Sequence, residues 1–591
     1  MNHRLTQALR GFLILSAALL HGCGNRDRTT QYNLDFEHTD RQGKPAQWAL
    51  PDTPYHGYIA SRDTRCRHLG QASLLLEQSD PTKSGWAIFG QSLPDTLVAG
   101  HEVELSGWVR TERVSDGFAD LYMVINEEED YNLYPLDTLN RGIRGTAEWH
   151  RISLRKQIPE SSSGVSIGGI LKGPGRAWFD DFEVRIDGMP LRDSMAPATK
   201  VHLTRPEKSE LRKYIHPLKG CDPTDADSTE LQLLDQLVGR SSVVALGENS
   251  HGASEIYRMK ERMIRYLATH LGFDQVAFEA GMAEASLLDD YIRFGKGMAK
   301  TGIFALGMWI WDTQEVLSLV EWMRRQNILG DPIAFRGIDM QSADKAEERL
   351  RTMLNKDAAA QQLLEEIGPK LDQVRTWNSV GSARIDPLLA REIRQDLDRL
   401  ENRIEATTLN ARNRALQKQY ITLIRQYLGM GLLCWRDRCM AENLLWLRQQ
   451  DPESKIVLWG HNGHVTRSAN MTGDLLDKEL GKDYVNFGFT FHGGCYTGIA
   501  PDEPQKWQHD AQTAYPGTLE HLLHQLGEPI FLLDLRRMRE ERSPALEWIN
   551  RTRFRHVGVV KVEEEFKDRN VADQFDYLIY IDRITPSHLL F

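Results

Sequence analysis

Several things are scarce in this chain of 591 residues. It has no long run of Lys and Arg, and its formal net charge is −11, so the basic face that a nucleic-acid partner requires is missing. Substrates are expected to be neutral or zwitterionic, or anionic and handled by a few local arginines. Six cysteines are too few for a disulfide framework at this length, and no CxxC pair offers a zinc site. Cys434 and Cys439 share a helical stretch, which sets their Cα atoms roughly 8–9 Å apart, beyond disulfide reach. There is no GxSxG nucleophile elbow, no phosphate-cradling loop and no GxGxxG. No apolar run is long enough to span a bilayer. What is left is a globular composition, 41% hydrophobic and 26% charged, in a length that predicts two to four domains.

The first residues read as a targeting segment. Arg4 and Arg10 precede the apolar run GFLILSAALL (11–20), and Leu20-His21-Gly22-Cys23 follows. Such a run is the length of a signal-peptide core. Leu at −3, Gly at −1 and Cys at +1 resemble a bacterial lipobox, so residues 1–23 are expected to be removed up to Cys23 and that thiol acylated. Gly24 rather than Asp follows, which predicts an outer-membrane lipoprotein facing the periplasm or cell surface.

From 31 to 187 the pattern has period two. Val103, Leu105, Gly107 and Val109 alternate with Glu104, Ser106 and Trp108, and runs such as SLLLEQ (73–78), DLYMVI (120–125) and HRISLR (150–155) are separated by turn residues. Many short strands with such punctuation predict an all-β sandwich. NLDFE (33–37), ELSGWVRT (104–111), Glu148-Trp149 and AWFDDFEV (177–184) resemble carbohydrate-binding jelly-roll modules. The domain is therefore either a glycan binder, with Trp86, Trp108, Tyr122 or Tyr131 as the stacking platform, or a spacer with a filled aromatic core.

Pro190, Pro197 and Pro206 mark 188–207 as a linker. From 208 to 591 apolar strands alternate with amphipathic helices. SSVVALGE (241–248), DQVAFE (274–279), PIAFRGID (332–339), KIVLWGH (455–461), DYVNFGFTF (483–491), EPIFLLDL (528–535), HVGVV (556–560) and YLIYID (577–582) read as strands. This predicts an α/β domain, a mainly parallel sheet with flanking helices. About 350–450 has helical spacing throughout and is expected as a helical insertion.

The chemistry lies where polar residues fall on this pattern. Glu248 and His251 follow one strand, Glu279 ends the next, Asp339 ends another, and His461, Asn462 and His464 follow a fourth. Ligands of open parallel sheets bind outside the carboxyl ends of the strands. Singly, each residue has a plain role as a cap, turn or ion-pair partner. Together they are costly to bury without work or mutual neutralisation.

LGENSHGASE (246–255), the FE of AFEAG (277–281), RGIDMQ (336–341), RDRCMAEN (436–443), WGHNGHV (459–465) and VNFGFTF…G (485–494) resemble, in this order, the erythromycin esterase family. The resemblance implies an α/β hydrolase with a helical insertion, cleaving an ester or lactone with His251 as general base on water. It implies Glu248 and Glu279 as carboxylates that orient and stabilise that base. It implies His461 as the group that stabilises the oxyanion or protonates the leaving alcohol, with His464 in support. Lys260, Asp339 and Arg258 are expected to contact substrate, and no cofactor is called for. Macrolide esterases carry an arginine nine residues after the base, where this chain has Lys260, which keeps the charge but loses the planar fork. That change, with the fused sandwich, weighs against macrolides and antibiotic resistance and toward an acylated glycan or other natural product. Two rivals stay open: a metallohydrolase with Glu248, His251, Glu279 and His461 on a divalent ion, and a non-enzymatic glycan-binding surface lipoprotein.

The lipobox reading generates a direct test. Cys23→Ala is expected to release the protein from membranes or strand its precursor, because the acyl chains supply the membrane affinity. Equal metabolic lipid labelling of wild type and variant would refute it.

Overall fold

The computed structural model describes residues 32–591, apart from 40–42, 51–57, 79–85, 94, 126–132, 135–141, 161, 163, 192–199, 380–386, 407–409, 430–434, 501–506, 551 and 563–564. The lipobox segment with Cys23, the residues Tyr131 and Cys434, and the side chain of Trp86 lie outside the described residues. The chain divides into two compact units, one ending at Thr199 and one beginning at Lys200, with Val562–Asp568 grouped with the first.

The first unit is an antiparallel all-β domain built around one long strand, Glu102–Ile125. Its first half pairs with Ile143–Gln157 on one side and Gly175–Ile186 on the other, and its second half pairs with Val165–Lys172. The alternation seen in the sequence becomes two faces. Val103, Leu105 and Val109 are fully buried with Phe36, Trp48, Phe89 and Phe179, while Trp108 faces the other way and stacks on His68 at 4.0 Å. Tyr122 is buried in the space that Gly90 and Gly168 leave open, so it is a packing residue and no sugar platform. The expected linker is also shorter than 188–207. Met189–Pro190 pairs with the strand Gly175–Ile186, and Arg205–Leu211 is a helix closed by a Thr204–Glu207 capping box.

The second unit is a sheet covered on both faces. Its strands are β1 (Ile215–Pro217), β2 (Val243–Leu246), β3 (Gln275–Gly281), β4 (Ala334–Asp339), β5 (Ile456–Trp459), β6 (Tyr484–Thr497), β7 (Ile530–Asp534) and β8 (Tyr577–Ile584). They lie in the order β1-β7-β8-β6-β2-β5-β3-β4. The pairings from β8 through β4 are parallel, and β7 and β1 are antiparallel at the other end. Val244, Leu246, Phe278, Trp459 and Phe487 fill one face, and Val243, Ala245, Ala277, Leu458 and Tyr484 the other. This two-sided burial explains why the strands read as unbroken apolar runs.

Helix α1 (Ser254–Leu271) follows β2. Between β4 and β5 stand α2 (Asp344–Met353), α3 (Ala358–Ser379), α4 (Pro387–Glu405), α5 (Ala411–Tyr427) and α6 (Trp435–Gln450). Leu350, Ile367, Leu371, Ile393, Leu397, Ile421 and Ile424 give this insertion its own core.

One expected strand is absent. Residues 556–560 form an irregular segment, because its backbone bonds go elsewhere: the Val557 N–H donates to Asn249 O at 2.8 Å. The loop after β5 is tied down by Asn486 in β6. Its amide donates to Val465 O at 2.8 Å and Gln574 O at 2.9 Å, and its Oδ1 accepts from Arg467 and from the Asp576 N–H, both at 2.8 Å. Asn486→Ala strands these buried groups, so a loss of about 2–5 kcal/mol is expected in urea unfolding. A loss under about 1 kcal/mol would show that water replaces the amide.

Candidate active site

β2, β5, β3 and β4 are consecutive in the sheet, so the polar residues at their carboxyl ends share one edge. Two sharp loops bring them there. Gly247 and Gly252 have no room for a Cβ, which would meet Asn462 Oδ1 and Thr497 O respectively. Asn462 behaves as an extra strand residue: its Oδ1 accepts from the Phe489 N–H at 3.1 Å, and its amide donates to Phe489 O at 2.8 Å. The Asn462 N–H donates to Glu248 O at 2.7 Å. The GENSHG and HNGH turns are thereby locked to each other and to β6.

Glu248 is fully buried. Its Oε1 lies 2.8 Å from His251 Nδ1, and its Oε2 accepts from Trp459 Nε1 at 2.8 Å and from the Lys260 ammonium. A carboxylate on Nδ1 makes that nitrogen the donor and leaves the lone pair on Nε2. His251 Nε2 has no protein partner among the described residues. Tyr257 fixes the same turn from behind, its hydroxyl donating to His251 O at 2.5 Å. The pair Glu248–His251 therefore has the form of a general base whose basic atom is open.

Lys260 is fully buried beneath this pair, over the Trp459 ring at 4.5 Å. Burial pushes its ammonium down to about 8, against the pull of Glu248 and Glu279. Having no exposed surface, it cannot touch substrate as expected, and it acts through Glu248. Arg258, also expected to contact substrate, pairs with Asp222 at 3.1 Å.

A second charge cluster adjoins the first. Glu279 Oε2 accepts from the His461 N–H at 2.8 Å, and Oε1 accepts from Arg436 Nη2 at 2.8 Å with His464 Nε2 at 3.3 Å. Asp339, expected to meet substrate, is 1% exposed and is spent on Arg436, whose Nη2 donates to it at 2.6 Å. Arg436 begins α6, so the helical insertion supplies a cation to the sheet edge. It belongs to RDRCMAEN, yet nothing in the sequence assigned it a role.

The electrostatics follow from burial and contacts. Burial would raise Glu279, but His464 and Arg436 outweigh it and hold the carboxyl well below its usual range. Burial also opposes charge on His464, yet Asp437 at 2.7 Å and Glu279 outweigh it and push the imidazole up to about 10. Arg436 Nη1 lies 3.1 Å from His464 Nε2. That contact alone would suit a neutral acceptor, but the flanking carboxylates favour the imidazolium, and the two cations share Glu279.

His461 departs from its expected role. Its Nδ1 accepts from the Gly463 N–H at 3.0 Å and its Nε2–H donates to Val557 O at 2.9 Å. Burial, with His251 nearby, holds it well below the ordinary imidazole range. Both ring nitrogens serve backbone, so His461 cannot donate to an oxyanion or leaving group here. It is a neutral wall 4.9 Å from the His251 ring. The alternative metal set fails for the same reason. Glu248 is committed to Lys260 and Trp459, His461 has no free lone pair, and these donors do not gather within 4.8 Å of one another. Cys495 is no better as a nucleophile, since its hydrogen bond to Asp510 raises the thiol.

Residues 268–584 match the sequence model of the family described as erythromycin esterase. The chain is 25% identical to YbfO of Bacillus subtilis (strain 168) over 431 residues, 64% of this chain and 91% of that one. It is 25% identical to the erythromycin esterase type II of Escherichia coli over 342 residues, covering 50% and 79%. A histidine-to-asparagine variant of the erythromycin esterase EreC, solved in its open conformation, superposes with TM-score 0.50 at 18% identity, covering 63% of this chain and 98% of that one.

The His464 assignment has a pH signature. Its folded value lies above the ordinary 6.5, so its contribution to stability is complete below about 6.5 and is lost as pH rises through about 10. Urea midpoints are expected to fall across that window in the wild type and to fall less in His464→Gln. A neutral His464 in nitrogen NMR at pH 8 would overturn the assignment.

Proposed function

Because this chain belongs to the erythromycin esterase family, we propose that it is a hydrolase of esters or lactones in which His251 activates the attacking water. The observation that carries the reading is the open Nε2 of a histidine whose other nitrogen is held by a buried carboxylate. Water bound at Nε2 gives up a proton as it adds to the carbonyl carbon, and Glu248 steadies the imidazolium that forms. Lys260 and Trp459 hold Glu248 fixed in place, so it needs little reorganisation as that charge develops. Negative charge on the carbonyl oxygen then calls for donors. Arg436 and His464, each with about a fifth to a quarter of its side chain exposed, replace His461 in that role. His464 has the proton that a leaving alkoxide would take.

The same reading extends to place and substrate. A lipobox cysteine at Cys23 would tether the enzyme to the outer membrane. In the N-terminal domain a cavity of about 630 Å³ is lined by Trp108, Arg151, Asp181 and Glu183, an aromatic face with hydrogen-bonding groups around it. That supports a glycan or glycan ester as the ligand class.

The test is turnover of acylated glycans, lactones and simple esters by the full-length protein. His251→Ala is expected to lower kcat by about 10²- to 10⁴-fold with little change in substrate binding. Arg436→Lys is expected to lose part of kcat, since a lysine cannot hold Glu279 and Asp339 together. Full activity in His251→Ala would end the general-base reading.

A further inference from the structure

A second cluster of histidines lies on the same sheet, apart from the residues assigned to catalysis. Phe491 of β6 pairs with Ile581 of β8, and Gly493 pairs with Arg583. His492 and Asp582 therefore lie abreast on adjoining parallel strands, and paired residues point to the same side of a sheet. Helix α7 (Leu519–His524) packs against both strands and ends on His524. One donor atom from each of His492, His524 and Asp582 lies within 4.8 Å of the others. The two rings stack at 4.0 Å with planes 11° apart.

We propose that His492, His524 and Asp582 form a binding site for a divalent metal ion of the zinc class. An ion pair explains part of the cluster, since His524 Nδ1 lies 2.6 Å from Asp582 Oδ1, which also accepts from Tyr580 at 2.7 Å. It does not explain His492. That imidazole is partly buried, and neither of its nitrogens has a hydrogen-bond partner among the described residues, so the ring is uncommitted and can take an ion. Asp582 Oδ2 and His524 Nε2 are open in the same sense.

Two imidazoles and one carboxylate suit zinc and its neighbours rather than the all-oxygen ions calcium and magnesium. Three protein ligands leave a coordination position open. Coordination requires the rings to splay from their stack, and His524, exposed at the end of its helix, is free to turn. His521, one helical turn earlier, has its Nε2 buried without a partner and adds a third imidazole to the neighbourhood. A bound ion would pin α7 to β6 and β8. Two residues before His492, Thr490 accepts from Asn249 of the GENSHG loop at 2.9 Å, so the pinned strand is one that braces the catalytic turn.

The test uses full-length protein stripped with a chelator and titrated with cobalt, then zinc. One equivalent of cobalt is expected to give visible ligand-field bands that zinc abolishes, and zinc is expected to raise the unfolding midpoint by a few degrees. His524→Ala and Asp582→Asn are expected to weaken binding by about tenfold or more, while His251→Ala leaves it unchanged. Should Asp582→Asn fold poorly, the exposed His524→Ala carries the comparison. Absence of cobalt bands and of a zinc shift in the wild type, or equal affinity in His524→Ala, would overturn the site. Tighter binding of calcium than zinc would overturn its assigned class.

Discussion

The Glu248 carboxylate is the group around which this site is arranged. It is fully buried at the end of a central strand, where an unpaired charge would be severely unfavourable. Lys260 neutralises it, Trp459 donates to it, and His251 takes the remaining oxygen. Removing Lys260 would leave a buried charge without compensation, which typically costs about 3–5 kcal/mol, and removing Trp459 or His251 would leave one of its oxygens without that donor. The requirement propagates outward. Lys260 must come from a helix that starts immediately after the turn, so α1 begins at Ser254 with no side-chain cap of its own. Trp459 must end β5, and it anchors the ring cluster with Tyr257, Phe278 and Trp311. A catalytic dyad and a large part of one sheet face thus share the same residues.

A second constraint ties the helical insertion to the sheet. Glu279 and Asp339 lie at the ends of neighbouring strands; β3 carries no cation, and Arg336 of β4 pairs with Asp289 instead, at 2.8 Å. Arg436, more than 90 residues further along the chain, bridges them from the first turn of α6. Asp437 then holds His464 and caps the helix turn at Thr472, accepting from its N–H at 3.0 Å. The insertion is therefore part of the site rather than a cover over it. Its own core of Leu and Ile side chains serves to present one arginine and one aspartate at a defined place.

Much of this was legible in the sequence, and the misses have physical causes. The apolar runs marked the strands because both sheet faces are buried, and the polar residues after them marked the active edge. The order of motifs pointed to the family. Roles were harder to read than places. His461 looks like a catalytic imidazole in HNGH, but which atoms a histidine has free depends on backbone groups such as Val557 O, distant in sequence. Residues 556–560 look like a strand because alternation is blind to where the backbone bonds go. Arg436 went unassigned since long-range charge pairing leaves no local pattern.

The position of Lys260 also changes how the departure from macrolide esterases is to be understood. At the surface of a pocket, lysine in place of arginine would alter direct recognition of substrate. Here the ammonium is fully buried against Glu248, Gly460 O and the Trp459 ring. An arginine there would need room for a planar fork among those same groups, so the exchange is set by packing under the dyad. Lys260 thus bears on how firmly Glu248, and through it the His251 ring, is held. On the proposed hydrolase reading, choice of substrate would fall instead to groups with exposed surface at the same edge, Arg436 and His464 foremost. Their charge is fixed by three carboxylates, Glu279, Asp339 and Asp437, whose positions come from two strands and one inserted helix. A change in substrate preference within this architecture is therefore more readily made by shifting α6 than by altering the strand ends, because the base and its buried support remain undisturbed.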